Sequence, residues 1–199
     1  MRTIPKPLLA LAALAVLTVP TPLDAQRPTS HPGLWIGAGV GLGWARVSCR
    51  ICGANRGHSL SAAAQVGGRI SNSILIGGEI EAWFRGSNSD QGRPGDELLL
   101  AYGAVVYWYP TPRYPYYLKG GVGLVTYRID DGTDRVTSSA LGPKIGIGYE
   151  LHVAGHLSAV PYLNILVGST GATVKLNGNE VLNNASIGLL QFGIGIAHR

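Results

Sequence analysis

Four groups of residues in this chain have types and spacings that could do chemistry. His58 stands beside Ser59 and Ser61. That is a base next to a nucleophile, but such catalysis also needs an acid to orient the base, and no acidic residue is placed for it. No catalytic residue is therefore assigned. Cys49 and Cys52 enclose Arg50 and Ile51, and in an oxidising compartment this reads as a local disulfide. A zinc site would want four ligands, and with only His58 nearby no metal is expected. The same spacing serves thioredoxin-like redox chemistry, but in a strand-helix context that this segment lacks. The third group is dispersed: Arg69, Glu79, Glu81, Arg85, Lys119, Lys144 and Glu150. If these seven share one side of a folded sheet, they form either a gate or proton path, or an internal salt-bridge network. The second is favoured, because buried charge is tolerable only when paired and hydrogen-bonded. Asp130, Asp131 and Asp134 form the fourth group; they could hold a cation, although carboxylates so placed ordinarily just solvate a turn.

The elements that must position these residues show in the hydropathy pattern. Arg2 and Lys6 precede an apolar run from Leu8 to Val19, with Pro20, Pro22 and the small-residue exit Leu23-Asp24-Ala25 behind it. This is the layout of a secretory signal peptide, and the run is short of the roughly 17 to 25 residues that a membrane helix needs. Cleavage is expected near Ala25, leaving residues 26–199 as one domain of 199 − 25 = 174 residues. Removing Arg2, Lys6 and Asp24 lowers the formal charge from +5 to +4. That mild basic bias, without a Lys/Arg stripe and in an exported chain, argues against nucleic acid as a partner. Only 14% of residues are charged, against about 25% in soluble domains. With 46% hydrophobic residues and a positive mean hydropathy, disorder is excluded too.

After Gln26 apolar residues recur with period two and not at helical spacing, so the mature chain reads as all-β. Eight strands are predicted. The first, Leu34–Trp44, sets Leu34, Ile36, Ala38, Val40, Leu42 and Trp44 against Gly37, Gly39, Gly41 and Gly43. The others run from His58 to Ile70, Ile74 to Arg85, Leu98 to Tyr109, Leu118 to Tyr127, Leu141 to Leu151, Leu157 to Gly168 and Ser186 to Ala197. Connectors at Ser71–Ser73, Pro110–Pro115 and Val153–His156 are short. Those at Ser48–Gly57, Gly86–Glu97 and Gly168–Asn184 are longer loops, and Asp130–Asp134 alone breaks the rhythm. Short turns at one rim and longer loops at the other mark bacterial outer-membrane barrels.

Which face meets lipid follows from the second face, which is mainly Gly and Ala with isolated charges. A soluble lipocalin-like carrier would show water a densely charged exterior, whereas this face suits the cramped interior of an eight-stranded barrel. Glycines then make space, and the seven charges face inward in near balance. Aromatic residues gather at strand ends, as in membrane barrels: Trp108, Tyr109, Tyr114, Tyr116 and Tyr149 at the short-turn rim, and Trp44, Phe84 and Tyr127 beside Arg46 and Arg128 at the other.

On these residues, and on the closing strand Gln191-Phe192-Gly193-Ile194-Gly195-Ile196, the mature chain resembles the small outer-membrane β-barrel family typified by OmpA and OmpX. The resemblance implies an eight-stranded antiparallel up-and-down transmembrane β-barrel in the bacterial outer membrane. One departure is the ending His198-Arg199, where the family usually ends on an aromatic residue. No peptidoglycan-binding domain is expected after the last strand. The functional expectation is a non-enzymatic barrel with a plugged polar lumen and a structural or surface-interaction role. It has no cofactor, outer-membrane lipids surround it, and its outer loops are free to meet a surface ligand. A narrow pore, a lipid-modifying barrel enzyme and the soluble carrier remain as alternatives.

Overall fold

The computed structural model describes residues 33–48, 55–86, 95–111, 114–130, 132–183 and 185–199. Among the described residues eleven strands run in chain order: β1 (Leu34–Ser48), β2 (Asn55–Ser71), β3 (Ile74–Arg85), β4 (Asp96–Trp108), β5 (Tyr116–Asp130), β6 (Arg135–Tyr149), β7 (Leu151–Ala154), β8 (Leu157–Gly168), β9 (Thr170–Leu176), β10 (Asn179–Asn183) and β11 (Ser186–His198). All pairings are antiparallel. β1 to β6 pair in succession, β6 pairs β8, β8 pairs β11, and β11 returns to β1, which closes a ring of eight staves.

The remaining strands prolong two of those staves. β7 continues β6 past a break at Glu150 and pairs the start of β8, and β9 continues β8 past Ser169 and pairs the start of β6. β10 folds back on β9. The segment expected as a long loop, Gly168–Asn184, is therefore mostly a β-hairpin. Its turn is Asn177-Gly178, with φ of 49° and 89°. Two successive residues in the left-handed region define the mirror-image turn whose twist matches a hairpin, and Asn-Gly is its strongest sequence signal. Ala172 and Val174 supply the alternation, both buried.

Strand periodicity decides the two faces, since neighbouring side chains point opposite ways. Outward stand Val40, Ile80, Val122, Ile145 and Ile194, each more than half exposed. A soluble carrier cannot present such a belt to water, and its interior would hold those residues instead. The exterior is what lipid requires, since a closed barrel also leaves no backbone edge unpaired within the bilayer. Trp44, Phe84, Trp108, Tyr114 and Tyr149 share this outward exposure. Tyr109 and Tyr127, expected at the rims, instead point inward and are buried.

The interior differs from the expected polar lumen in being layered. Toward the long-loop rim, Trp83, Leu99, Val125, Leu166 and Ile187 form one apolar cluster. Toward the short-turn rim, Trp35, Leu75, Val105, Tyr107 and Tyr117 form a second. The glycine parity of β1 conceals this, because bulky inward residues come from strands one or two places around the ring. A Cβ at Gly43 would come within 2.6 Å of Trp83, one at Gly148 within 2.4 Å of Tyr117, and one at Gly39 within 2.7 Å of Tyr162. Each glycine thus clears space for a large side chain.

Candidate functional site

Between the two apolar clusters lies a layer of buried charge. Glu79 and Glu81 alternate along β3, Lys119 projects from β5 and Lys144 from β6, all at most 5% exposed. Glu79 takes the Lys119 ammonium at 2.5 Å on one oxygen and the Lys144 ammonium at 2.6 Å on the other. Lys144 also reaches Glu81 at 3.1 Å. Two carboxylates and two ammoniums leave the layer neutral, which makes its burial tolerable.

Polar neighbours extend the layer across the barrel. Asn164 donates from Nδ2 to Glu81 at 2.8 Å and lies 3.4 Å from the Gln191 side-chain oxygen. The Tyr107 hydroxyl donates to Glu79. Gly146 is the local condition for this packing, since a Cβ there would come within 2.6 Å of Lys119 Cε and 2.7 Å of Asn164 Oδ1.

Two satellite pairs flank the layer. Near the long-loop rim Arg85 pairs with Glu97, its Nε donating at 3.0 Å, and the Tyr127 hydroxyl donates to the second Glu97 oxygen. Near the short-turn rim Tyr109 donates to Glu150 at 2.7 Å, while the Arg199 guanidinium pairs with Glu150, donates to the Tyr109 hydroxyl at 2.6 Å and stacks over that ring. Of the seven predicted charges, Glu79, Glu81, Lys119 and Lys144 therefore come together, while Arg85 and Glu150 find separate partners. Arg69 is half-buried beside the Arg199–Glu150 pair and makes none of these ion pairs.

Glu97, Arg199, Asn164, Gln191 and Tyr107 were absent from the predicted set. Glu97 was legible in principle: it shares the inward parity of Leu99 and Ala101, and the β3–β4 hairpin sets it opposite Arg85. Arg199 reaches inward because its backbone N–H is anchored to the His156 carbonyl at 3.1 Å, a contact that no local pattern encodes.

The pairing of His58 with Ser59 or Ser61 does not form. His58 is exposed on the outward face, across from Trp44, while Ser61 is 2% exposed on the inward face. Adjacent strand residues lie on opposite sides of the sheet, and Ser61 shares the parity of Ser59. Cys49 and Cys52 lie outside the described residues.

Outside the membrane-spanning band, at the long-loop rim, Asp130 collects Arg128 at 2.8 Å and Arg135 at 3.0 Å on one carboxylate oxygen. The hydrogen bond from Arg128, with those from the Gly132 backbone and Arg135, holds the Asp130 carboxyl down at about 2.

No protein-family model and no curated protein matches the sequence. Among solved structures, Neisserial surface protein A is similar over 83% of this chain and 96% of its own, with 17% identity and a TM-score of 0.56. The outer membrane protein AlkL, solved in DMPC lipid bilayers, matches over 91% and 97% with 14% identity and a TM-score of 0.49. Ail, the attachment invasion locus protein of Yersinia pestis, matches over 82% and 97% with 13% identity and a TM-score of 0.46. The last two fall below the similarity at which a fold is shared, so the first carries the comparison. Ring closure, the outward apolar belt and this shared fold make the chain an eight-stranded β-barrel with a lipid-facing exterior.

Proposed function

We propose that the protein is a non-enzymatic outer-membrane barrel whose interior is closed to solutes, and that its work is structural or is done by its long-loop rim. The observation that supports this reading is the burial of the central layer. Glu79, Glu81, Lys119, Lys144, Asn164 and Gln191 are all at most 5% exposed, with apolar clusters above and below. A path for water or ions would wet at least some of these charges. Eight strands enclose a space that side chains fill, and here bulky residues lean over the glycines of nearby strands. A barrel so filled is a stiff platform. The hairpin β9–β10 and the upper ends of β5 and β6 carry that platform past the apolar belt, where a surface ligand would meet them.

In this reading residues 1–25 are the signal peptide, the short turns lie in the periplasm and the longer connections face outward. Planar-bilayer recording of the purified mature barrel tests it. The expected trace shows no conductance steps in neutral salt; reproducible open-channel steps would overturn the closed interior and favour the narrow pore.

A further inference from the structure

We propose that the outward face of β5, β6 and β9 at the long-loop rim binds the phosphate of an anionic lipid head group. This rests on the membrane reading above and adds a site to it. Register brings the patch together: Arg128 on β5 pairs with Thr137 on β6, and Thr137 pairs with Lys175 on β9. One step along the strands, Thr126, Ser139 and Thr173 form a second outward row, with the Thr126 and Ser139 hydroxyls 3.0 Å apart. Arg135 stands above Thr137 on β6. Three cations thus surround a group of hydroxyls on a surface that faces lipid.

Height places the patch. Arg128 lies ten residues along β5 from Leu118, which shares the short-turn rim with Trp108. At about 3.4 Å per residue and a strand tilt of about 40°, that is roughly 26 Å along the barrel axis, the thickness of the apolar band. Rows rise with the tilt, so Lys175, two strands on, stands about 6 Å higher than Arg128, still within the head-group region. The Arg128 and Arg135 side chains are 41% and 56% exposed.

Acids share the patch. Asp130, the last residue of β5, binds both arginines and stands two residues above Arg128, so of the three cations only Arg128 lies on its lipid side, while Asp134 belongs to the turn above. Glu180, opposite Lys175 on β10, is an acid at that height. In the other direction the row runs into Leu98 and Phe84, which are apolar. The patch is therefore local to three strands. A phosphate with adjoining polar head-group atoms matches cations interleaved with hydroxyls, whereas a zwitterionic head group offsets its phosphate with its own ammonium and gains less from the cations.

The test uses the mature barrel in phosphatidylcholine bilayers with trace spin-labelled phosphatidylglycerol or spin-labelled phosphatidylcholine, reading the motionally restricted fraction by electron spin resonance. Wild type is expected to prefer the anionic probe by about fivefold, the effect of one Lys or Arg beside an anionic surface, and to lose preference as salt is raised. The R128Q/R135Q/K175Q variant is expected to fall close to no preference, with R128Q alone in between and R46Q, on β1, unchanged. A wild-type preference near one overturns the proposal, as does an R46Q loss equal to that of the triple variant. If inorganic phosphate abolishes the preference where sodium chloride of equal ionic strength does not, the site takes free phosphate and the lipid assignment falls. Heat-modifiable migration keeps the two readings apart. A wild-type barrel that inserts yet shows no preference refutes only this site, whereas failure of the folded protein to insert refutes the membrane reading beneath it. Should the triple variant fail to fold, the wild-type salt titration and R128Q alone decide.

Discussion

Replacing Lys144 by Met removes one ammonium from a layer that two carboxylates share. The lysine is 1% exposed and contacts Glu79 at 2.6 Å and Glu81 at 3.1 Å. In the variant Lys119 alone faces both carboxylates, and Glu81 keeps only the amide of Asn164. Removing one partner from a buried pair costs about 3 to 5 kcal/mol, because the uncompensated charge stays in a medium that cannot solvate it. The double variant E81Q/K144M restores neutrality through the Lys119–Glu79 pair, so it should lie well above K144M and near wild type. The assay is urea unfolding from phospholipid vesicles, read by the fluorescence of Trp35 and Trp83, which are buried in the interior, with heat-modifiable migration as a second probe. If K144M unfolds within about 1 kcal/mol of wild type, or if the double variant is as damaged as the single one, the charges are solvated. The interior would then be open to water and not closed.

Three further outcomes follow from the same geometry. Arg in place of Val122, Ile145 or Ile194, all more than half exposed near the middle of the belt, should cost about 2 to 4 kcal/mol in vesicle unfolding. Arg at Gly41 should prevent closure instead, because even a Cβ there comes within 2.2 Å of the Phe192 carbonyl on β11; equal tolerance at both kinds of position would reverse the assignment of faces. Gly178→Val should loosen the β9–β10 hairpin by about 1 to 3 kcal/mol, since φ of 89° excludes a β-branched residue, and faster amide exchange confined to residues 170–183 is the readout. Asp130, held at about 2 against an ordinary 3.8, contributes stability that is complete above the unfolded value and fades as pH falls through the folded one. A carboxyl-carbon NMR titration should show its midpoint near 2, and Arg128→Gln should move it upward.

Strand alternation and turn chemistry were legible in the residues alone. The bounds of β3 and β8 were read correctly, and so was the inward parity of Glu79, Glu81, Lys119 and Lys144, because period two is a local property of the backbone. The hairpin at Asn177-Gly178 was legible too, but a long-loop reading passed over it. Other features were missed. Arg85 seeks Glu97 and not the central layer, Arg199 folds back onto Glu150, and Tyr109 and Tyr127 turn inward where rim positions were expected. His58 and Ser61 are close in sequence, yet the pleat sets them on opposite faces.

The inward side of these charges was thus set by the sequence through parity, but only four of the seven meet in one layer. Which carboxylate meets which ammonium was decided only by closure of β1 against β11. Closure fixes the stagger around the ring, and so the height at which each inward side chain enters. The glycines of β1, β6 and β11 then leave room for long residues from strands one or two places around the ring. Local sequence carries alternation; distance across a closed sheet depends on every strand at once.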